Sequence, residues 1–214
     1  NILQEFDTIT AIATPLGTGG VGVIRISGAD SFNIMSKIFS KQNLVPGKIA
    51  HGWIVDEGKK IDEVIVLPFK NPHSYTGEDV IEIHCHGGIN VVKNILDLVL
   101  KSGARMAERG EFTKRAFLNK KLDLSQAEAV ADLIHAKTQN FAVQSAKNLS
   151  GVLRDKILEI KSEIFNTLSR IVAGIDFPED VAEPEYQFLI KSFKKSLNEI
   201  DEILLCAKSS DILR

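Results

Sequence analysis

The chain is short of the features that mark secreted, fibrous or membrane-embedded proteins. Only two of its 214 residues are cysteine. Cys85 and Cys206 lie too far apart to suggest a short-spaced zinc motif or a disulfide framework, so two free thiols in a reducing, cytoplasmic compartment are expected. No apolar run approaches the ~20 residues that a membrane-spanning helix needs. Charge of one sign is also lacking: 26 basic residues face 28 acidic ones, for a formal net charge of −2. That balance argues against a nonspecific nucleic-acid binder, whose surface would be strongly basic. Neither G-x-x-x-x-G-K-[ST] nor G-x-S-x-G occurs in these residues, which excludes from them a P-loop phosphate cradle and an α/β-hydrolase nucleophile. Asn119-Lys120-Lys121-Leu122-Asp123 approaches the guanine-reading N-K-x-D pattern but has leucine where the aspartate belongs. What remains is ordinary globular material, 44% hydrophobic and 25% charged, enough for one large domain or two small ones.

The composition changes near residue 120. Thirteen of the 15 glycines precede it, together with the short β-like runs. Residues 21–26, 64–67 and 80–86 read as strands, and residues 31–39 and 89–101 as helices, with Gly103 as a helix stop. Strands interleaved with helices predict an α+β or α/β first half. From Leu122 the pattern is helical. Ser125 and Glu128 have the spacing of a capping box, and Val130, Leu133, Ile134 and Phe141 continue one apolar face, which Gly151 either interrupts or joins at a close helix contact. Leu153, Ile157, Ile160, Ile164, Leu168, Ile171 and Val172 follow at helical spacing. Pro178 and Pro184 bracket an acidic connector, and a last helix is expected over about 185–208. No internal repeat is present.

Three stretches carry candidate chemistry. Gly17-Thr18-Gly19-Gly20-Val21-Gly22 matches G-x-G-x-x-G, but a β-like run follows it rather than a helix, so a dinucleotide site is not supported. A tight loop leading into a strand is the better reading. Arg25 lies in that strand, where a guanidinium either faces solvent or clamps a carboxylate or a flat heterocycle. In Glu82-Ile83-His84-Cys85-His86-Gly87-Gly88, strand alternation puts Glu82, His84 and His86 on one face. Such a trio suits a metal or, with the remaining histidines scattered, a donor-rich ligand read by the carboxylate. Between Lys101 and Lys121 seven basic residues outnumber two acidic ones, a local excess that attracts anions. Phe112 and Phe117 lie among these charges.

Taken together the motifs resemble a known family. Asp7-Thr8-Ile9, Ala13-Thr14-Pro15 and Gly19 to Gly28 resemble the opening of the tRNA-modification GTPases called MnmE or TrmE. So do Ser74-Tyr75-Thr76-Gly77-Glu78-Asp79-Val80, His86-Gly87-Gly88, and the run Arg109 to Asn119. Lys121-Leu122-Asp123-Leu124, Gln126-Ala127-Glu128-Ala129, Asp132-Leu133-Ile134 and Ile175-Asp176-Phe177-Pro178-Glu179 complete the resemblance, which covers essentially the whole chain.

The resemblance implies an aminomethyltransferase-like α+β domain over residues 1–119 that binds a tetrahydrofolate such as 5-formyltetrahydrofolate and forms a homodimer. The first part of an all-α helical domain is implied over 120–214. It further implies an N-terminal fragment, with a GTPase domain that uses GTP, magnesium and potassium lying elsewhere in the parent protein. That parent, with the flavoprotein MnmG, installs an aminomethyl-type group at C5 of the wobble uridine of certain tRNAs. Cys206 is not equivalent to the family's C-terminal cysteine. Carried over by motif, the folate contacts are Arg25, Glu82 and Lys121, with no metal and no catalytic residue in this part. A ligand-free dimerisation or interaction module is the rival expectation, and a stand-alone aminomethyltransferase-like enzyme is disfavoured for want of a catalytic acid or base. The helices are expected to expose apolar surface.

Overall fold

The computed structural model describes residues 7–180 and 182–211. The chain divides between residues 122 and 123 into two compact units. In the first, strands β1 (Ile9–Ile12) and β2 (Val21–Ser27) are followed by helix α1 (Ser31–Ile38). Strands β3 (Ala50–Asp56), β4 (Lys59–Phe69) and β5 (Val80–His86) come next, then helix α2 (Ile89–Lys101). The short strand β6 (Arg105–Met106) and helix α3 (Glu111–Leu118) close the unit. The six strands form one sheet in the order β3-β4-β5-β2-β1-β6, antiparallel except for the parallel pair β1/β6.

Alternation along the central strands divides the sheet into two chemically different faces. Ile24, Ile26, Val64, Val66, Ile81, Ile83 and Cys85 are buried and form one core with Ile34, Met35 and Ile38 of α1 and Val92, Ile95 and Val99 of α2. The side chains between them, Val23, Arg25, Glu82, His84 and Leu67, are half-buried on the opposite face. The expected strands at 21–26, 64–67 and 80–86 are present, but β4 begins five residues before the apolar run that announced it. Its start is the polar arm of a hairpin with β3, where Asp56 pairs with Lys59.

The glycine loop before β2 is needed for backbone contact. Gly19 N–H donates to Gly87 O, and Gly87 N–H donates to Gly20 O, each at 3.4 Å. A Cβ at Gly87 would come within 2.5 Å of Gly19 O. That approach explains the glycines at both places without a dinucleotide.

The second unit contains four helices among the described residues: α4 (Leu124–His135), α5 (Gln139–Leu149), α6 (Val152–Asp176) and α7 (Tyr186–Asp211). The capping box expected from Ser125 and Glu128 is instead built by Asp123 and Gln126. The Asp123 carboxylate accepts from Gln126 N–H at 2.9 Å, and the Gln126 side chain accepts from Asp123 N–H at 3.0 Å. Aspartate and serine cap about equally well, so type alone did not separate the two frames. Ser125 donates to Asp123 Oδ1. The apolar face expected to run unbroken from Val130 to Phe141 is also corrected: α4 ends at His135, and Thr138 opens α5 by accepting from Phe141 N–H. Gly151 does interrupt, in the left-handed region at φ +89°. The last helix runs over 186–211 rather than 185–208. Its apolar residues, with those of α6, include well-exposed positions such as Phe165 and Leu205. No helix of the described residues is long and apolar enough to cross a membrane.

Replacing Gly87 by alanine is expected to lower unfolding stability by about 1–3 kcal/mol, the usual cost of an overpacked site. Urea denaturation measures this, and an unchanged midpoint would contradict the tight approach of Gly87 to the Gly19 carbonyl.

Candidate functional site

The register of the sheet sets Arg25 on β2 directly opposite Glu82 on β5. Arg25 Nε donates to Glu82 Oε1 at 2.8 Å, and Nη2 forms an ion-pair contact with the same oxygen at 2.7 Å. Glu82 Oε2 is therefore left to other donors, and His84 Nε2 lies 3.4 Å from it. Arg25 Nη1 has no hydrogen-bond partner among the described residues. The guanidinium lies 5.2 Å from the Tyr75 ring centroid and 5.7 Å from that of Phe112, within the range of cation–π attraction. A cation–carboxylate pair with both members part-exposed thus sits between aromatic walls on the open face of the sheet.

The walls are held by a buried charge network. Tyr75 belongs to the loop between β4 and β5, and Phe112 to α3. Tyr75 Oη and Thr113 Oγ1 hydrogen-bond at 2.9 Å, and Asn119 Nδ2 donates to Thr76 O at 2.8 Å. Beneath them Arg115 is 1% exposed. Its guanidinium bonds both Glu78 oxygens at 3.1 and 3.2 Å, Glu111 Oε1 at 2.9 Å and the Asp7 carbonyl at 2.8 Å. Glu78 also accepts from Ser27 Oγ on β2. Glu111 further accepts two bonds from Arg105, at 2.7 and 2.9 Å, and one from Glu108 N–H. Donation from Arg105, helped by Glu108 N–H and Arg115 and opposed by burial, holds the Glu111 carboxyl down at about 2. The same bond raises Arg105 above the ordinary arginine range.

This narrows the anion-attracting cluster expected between Lys101 and Lys121. Arg105 and Arg115, two of its seven positive charges, are bound to Glu111 and Glu78 in the fold rather than offered to an anion.

Of the residues carried over by motif, the structure brings Arg25 and Glu82 into contact. Lys121 Nζ donates to Pro72 O at 3.1 Å, on the loop that carries Tyr75. It has no direct bond to Arg25 or Glu82 among the described residues. The expected Glu82–His84–His86 trio separates. His86 turns to Asp62, with Nδ1 at 2.6 Å from Oδ1 and its backbone N–H on Oδ2 at 2.8 Å. Among the described residues no group of three or more His, Cys, Asp or Glu is placed to hold a metal ion. Burial, aided by the charge of Asp62, pushes the Cys85 thiol up to about 11. It donates to Gly22 O and is not a nucleophile at neutral pH.

Tyr75, Phe112, Glu78, Glu111 and Arg115 were not singled out as site residues in the sequence. Their signal lay in two runs, Ser74–Val80 and Arg109–Asn119, where aromatic residues stand among charged ones.

The arrangement defines a class: an α+β domain with a part-exposed cation–carboxylate pair on one sheet face, followed by a helical domain. Comparison with known proteins places the chain within that class. The family model described as GTP-binding protein TrmE N-terminus matches residues 8–121, and the MnmE helical domain matches residues 124–214. The tRNA modification GTPase MnmE of Streptococcus mutans is 48% identical over 100% of this chain and 48% of its own length. That of Thermotoga maritima is 51% identical over 82% of this chain and 39% of its own length. That of Caldicellulosiruptor saccharolyticus is 49% identical over 94% and 46%. The chain belongs to the MnmE/TrmE family, and it spans less than half the length of these curated relatives.

The Glu111 carboxyl has a definite acid signature. Its folded value lies below the ordinary 4.5, so its stabilising contribution is complete above about pH 4.5 and is lost as pH falls toward 2. Glu111→Gln is expected to lose about 3–5 kcal/mol at neutral pH, the cost of leaving Arg115 and Arg105 short of a partner. In urea titrations its deficit against the unsubstituted protein should shrink below pH 4.5. Parallel stability curves down to pH 3 would contradict the assignment.

Proposed function

We propose that this chain is the N-terminal part of a tRNA-modification GTPase, and that its first unit binds a tetrahydrofolate one-carbon donor. The observation that carries the ligand reading is the Arg25–Glu82 pair with one carboxylate oxygen and one guanidinium nitrogen left over, flanked by Tyr75 and Phe112. A reduced pterin is flat, has adjacent N–H donors on its amino-pyrimidine edge, and bears an anionic glutamate tail. The donor set fits: Glu82 Oε2 accepts from the edge, Arg25 Nη1 donates to a ring carbonyl, and the two aromatic rings offer flat apolar surface beside them. Lys121, held at the rim through Pro72, is suited to the tail. When bound, the folate supplies the carbon to be transferred. The protein's part here is to bind and orient it.

The names of the relatives support the wider reading. The parent protein acts with the flavoprotein MnmG as a heterotetramer and installs an aminomethyl-type group at C5 of the wobble uridine in tRNA, in the cytoplasm. The first unit makes the homodimer, and GTP, magnesium and potassium belong to a GTPase segment outside these residues.

Calorimetry of the full-length protein with 5-formyltetrahydrofolate tests the ligand site. Glu82→Ala removes charge-assisted hydrogen bonds, and a loss of at least about tenfold in affinity is expected. An unchanged affinity in a variant with unchanged circular dichroism would overturn the assigned groove.

A further inference from the structure

We propose that His84 is a further contact of this ligand and sets the pH range over which it binds, a proposal that rests on the folate reading above. His84 sits two residues after Glu82 on β5, opposite Val23 of β2 and Ile65 of β4. Its side chain is 32% exposed, on the same open face. Arg25 occupies only Oε1 of Glu82, so the His84 imidazole lies beside the oxygen that the ligand needs.

The charge of the ring decides what that oxygen can do. With the imidazole neutral and its proton on Nδ1, His84 Nε2 and Glu82 Oε2 are two acceptors 3.4 Å apart, able to take two neighbouring N–H donors from an amino-pyrimidine edge. With the imidazole protonated, Nε2 is a donor, and its natural acceptor is that same Oε2. The imidazolium then competes with the ligand for Glu82, and binding must release its proton. Histidine is the side chain whose charge ordinarily changes between about pH 5 and 8, so that is the range in which the competition is tested.

The charged and titratable groups around His84 are few. Glu82 lies on its own strand, and Arg25 on β2 is committed to Glu82. On β4, Glu63 is one same-face step beyond Ile65, and it pairs with His51 of β3 at 3.4 Å. His86 is held by Asp62, and Tyr75 packs against Arg25. Of these, Glu82 is the one in hydrogen-bond range of the His84 ring.

The test is 5-formyltetrahydrofolate affinity of the full-length protein at about pH 7.5 and 5.5, compared with His84→Gln, which keeps a polar side chain but does not titrate in this range. The unsubstituted protein is expected to bind more weakly at the lower pH, by up to the roughly hundredfold that release of one proton allows across two pH units. His84→Gln is expected to bind equally well at both. Equal pH responses in the two proteins would overturn the role of His84. Glu82→Ala, measured alongside, separates that failure from a wider one. If it loses affinity while the two pH responses match, only the His84 contact is wrong. If it binds as the unsubstituted protein does, the ligand reading falls, and His84 with it.

Discussion

A guanidinium removed from water must be met by acceptors on every side, and Arg115 is where this fold meets that demand. Isolated, the charge would be prohibitively expensive to bury. Here it is shared among Glu78 from the loop before β5, Glu111 from its own helix and the Asp7 carbonyl ahead of β1. Three segments distant in sequence are thereby fixed at one point. Losing one partner of such a pair is far more damaging than the pair is stabilising, so the arrangement specifies one geometry more than it adds stability. Its consequence reaches the open face of the sheet. Tyr75 and Phe112 ride on the loop and helix that Arg115 ties down, and they are the walls around Arg25.

The sheet supplies the other half of the site through strand alternation. Ile24 and Ile26 face the core, which obliges Arg25 between them to face away. Ile81 and Ile83 do the same for Glu82. Antiparallel register then sets the cation against the carboxylate across one strand pair. The half-buried setting keeps the pair strong enough to be ordered while leaving Oε2 and Nη1 available. A core-facing apolar pattern and a ligand-facing polar one are thus written in the same residues.

Much of this was legible before the structure. The period-two runs of β2 and β5 were plain because both are bounded by apolar, β-branched residues, and with them came the shared face of Glu82 and His84. The long helices were equally plain from their spacing. The short pieces were not. β6 has two residues and exists only because β1 offers it a parallel partner, and β4 hides its start behind Lys59, Lys60, Asp62 and Glu63. The cap of α4 was ambiguous because Asp123 and Ser125 are chemically similar caps two residues apart. The basic stretch was legible only in part, for a deeper reason. A count of charges cannot tell an arginine turned to solvent from one drawn inward by a glutamate four residues earlier, and Glu111 to Arg115 is such a pair. Nor can spacing foretell that His86 turns to Asp62, since Asp62 reaches it from a neighbouring strand.

The most direct measurement of the central claim is a crystal structure of the full-length protein grown with 5-formyltetrahydrofolate. The account predicts the pterin ring between Tyr75 and Phe112, its donor edge on Glu82 and its tail toward Lys121, with the Arg115 contacts to Glu78 and Glu111 unchanged. A folate bound elsewhere, with no ligand atom on Glu82 and none against Tyr75 and Phe112, would contradict it.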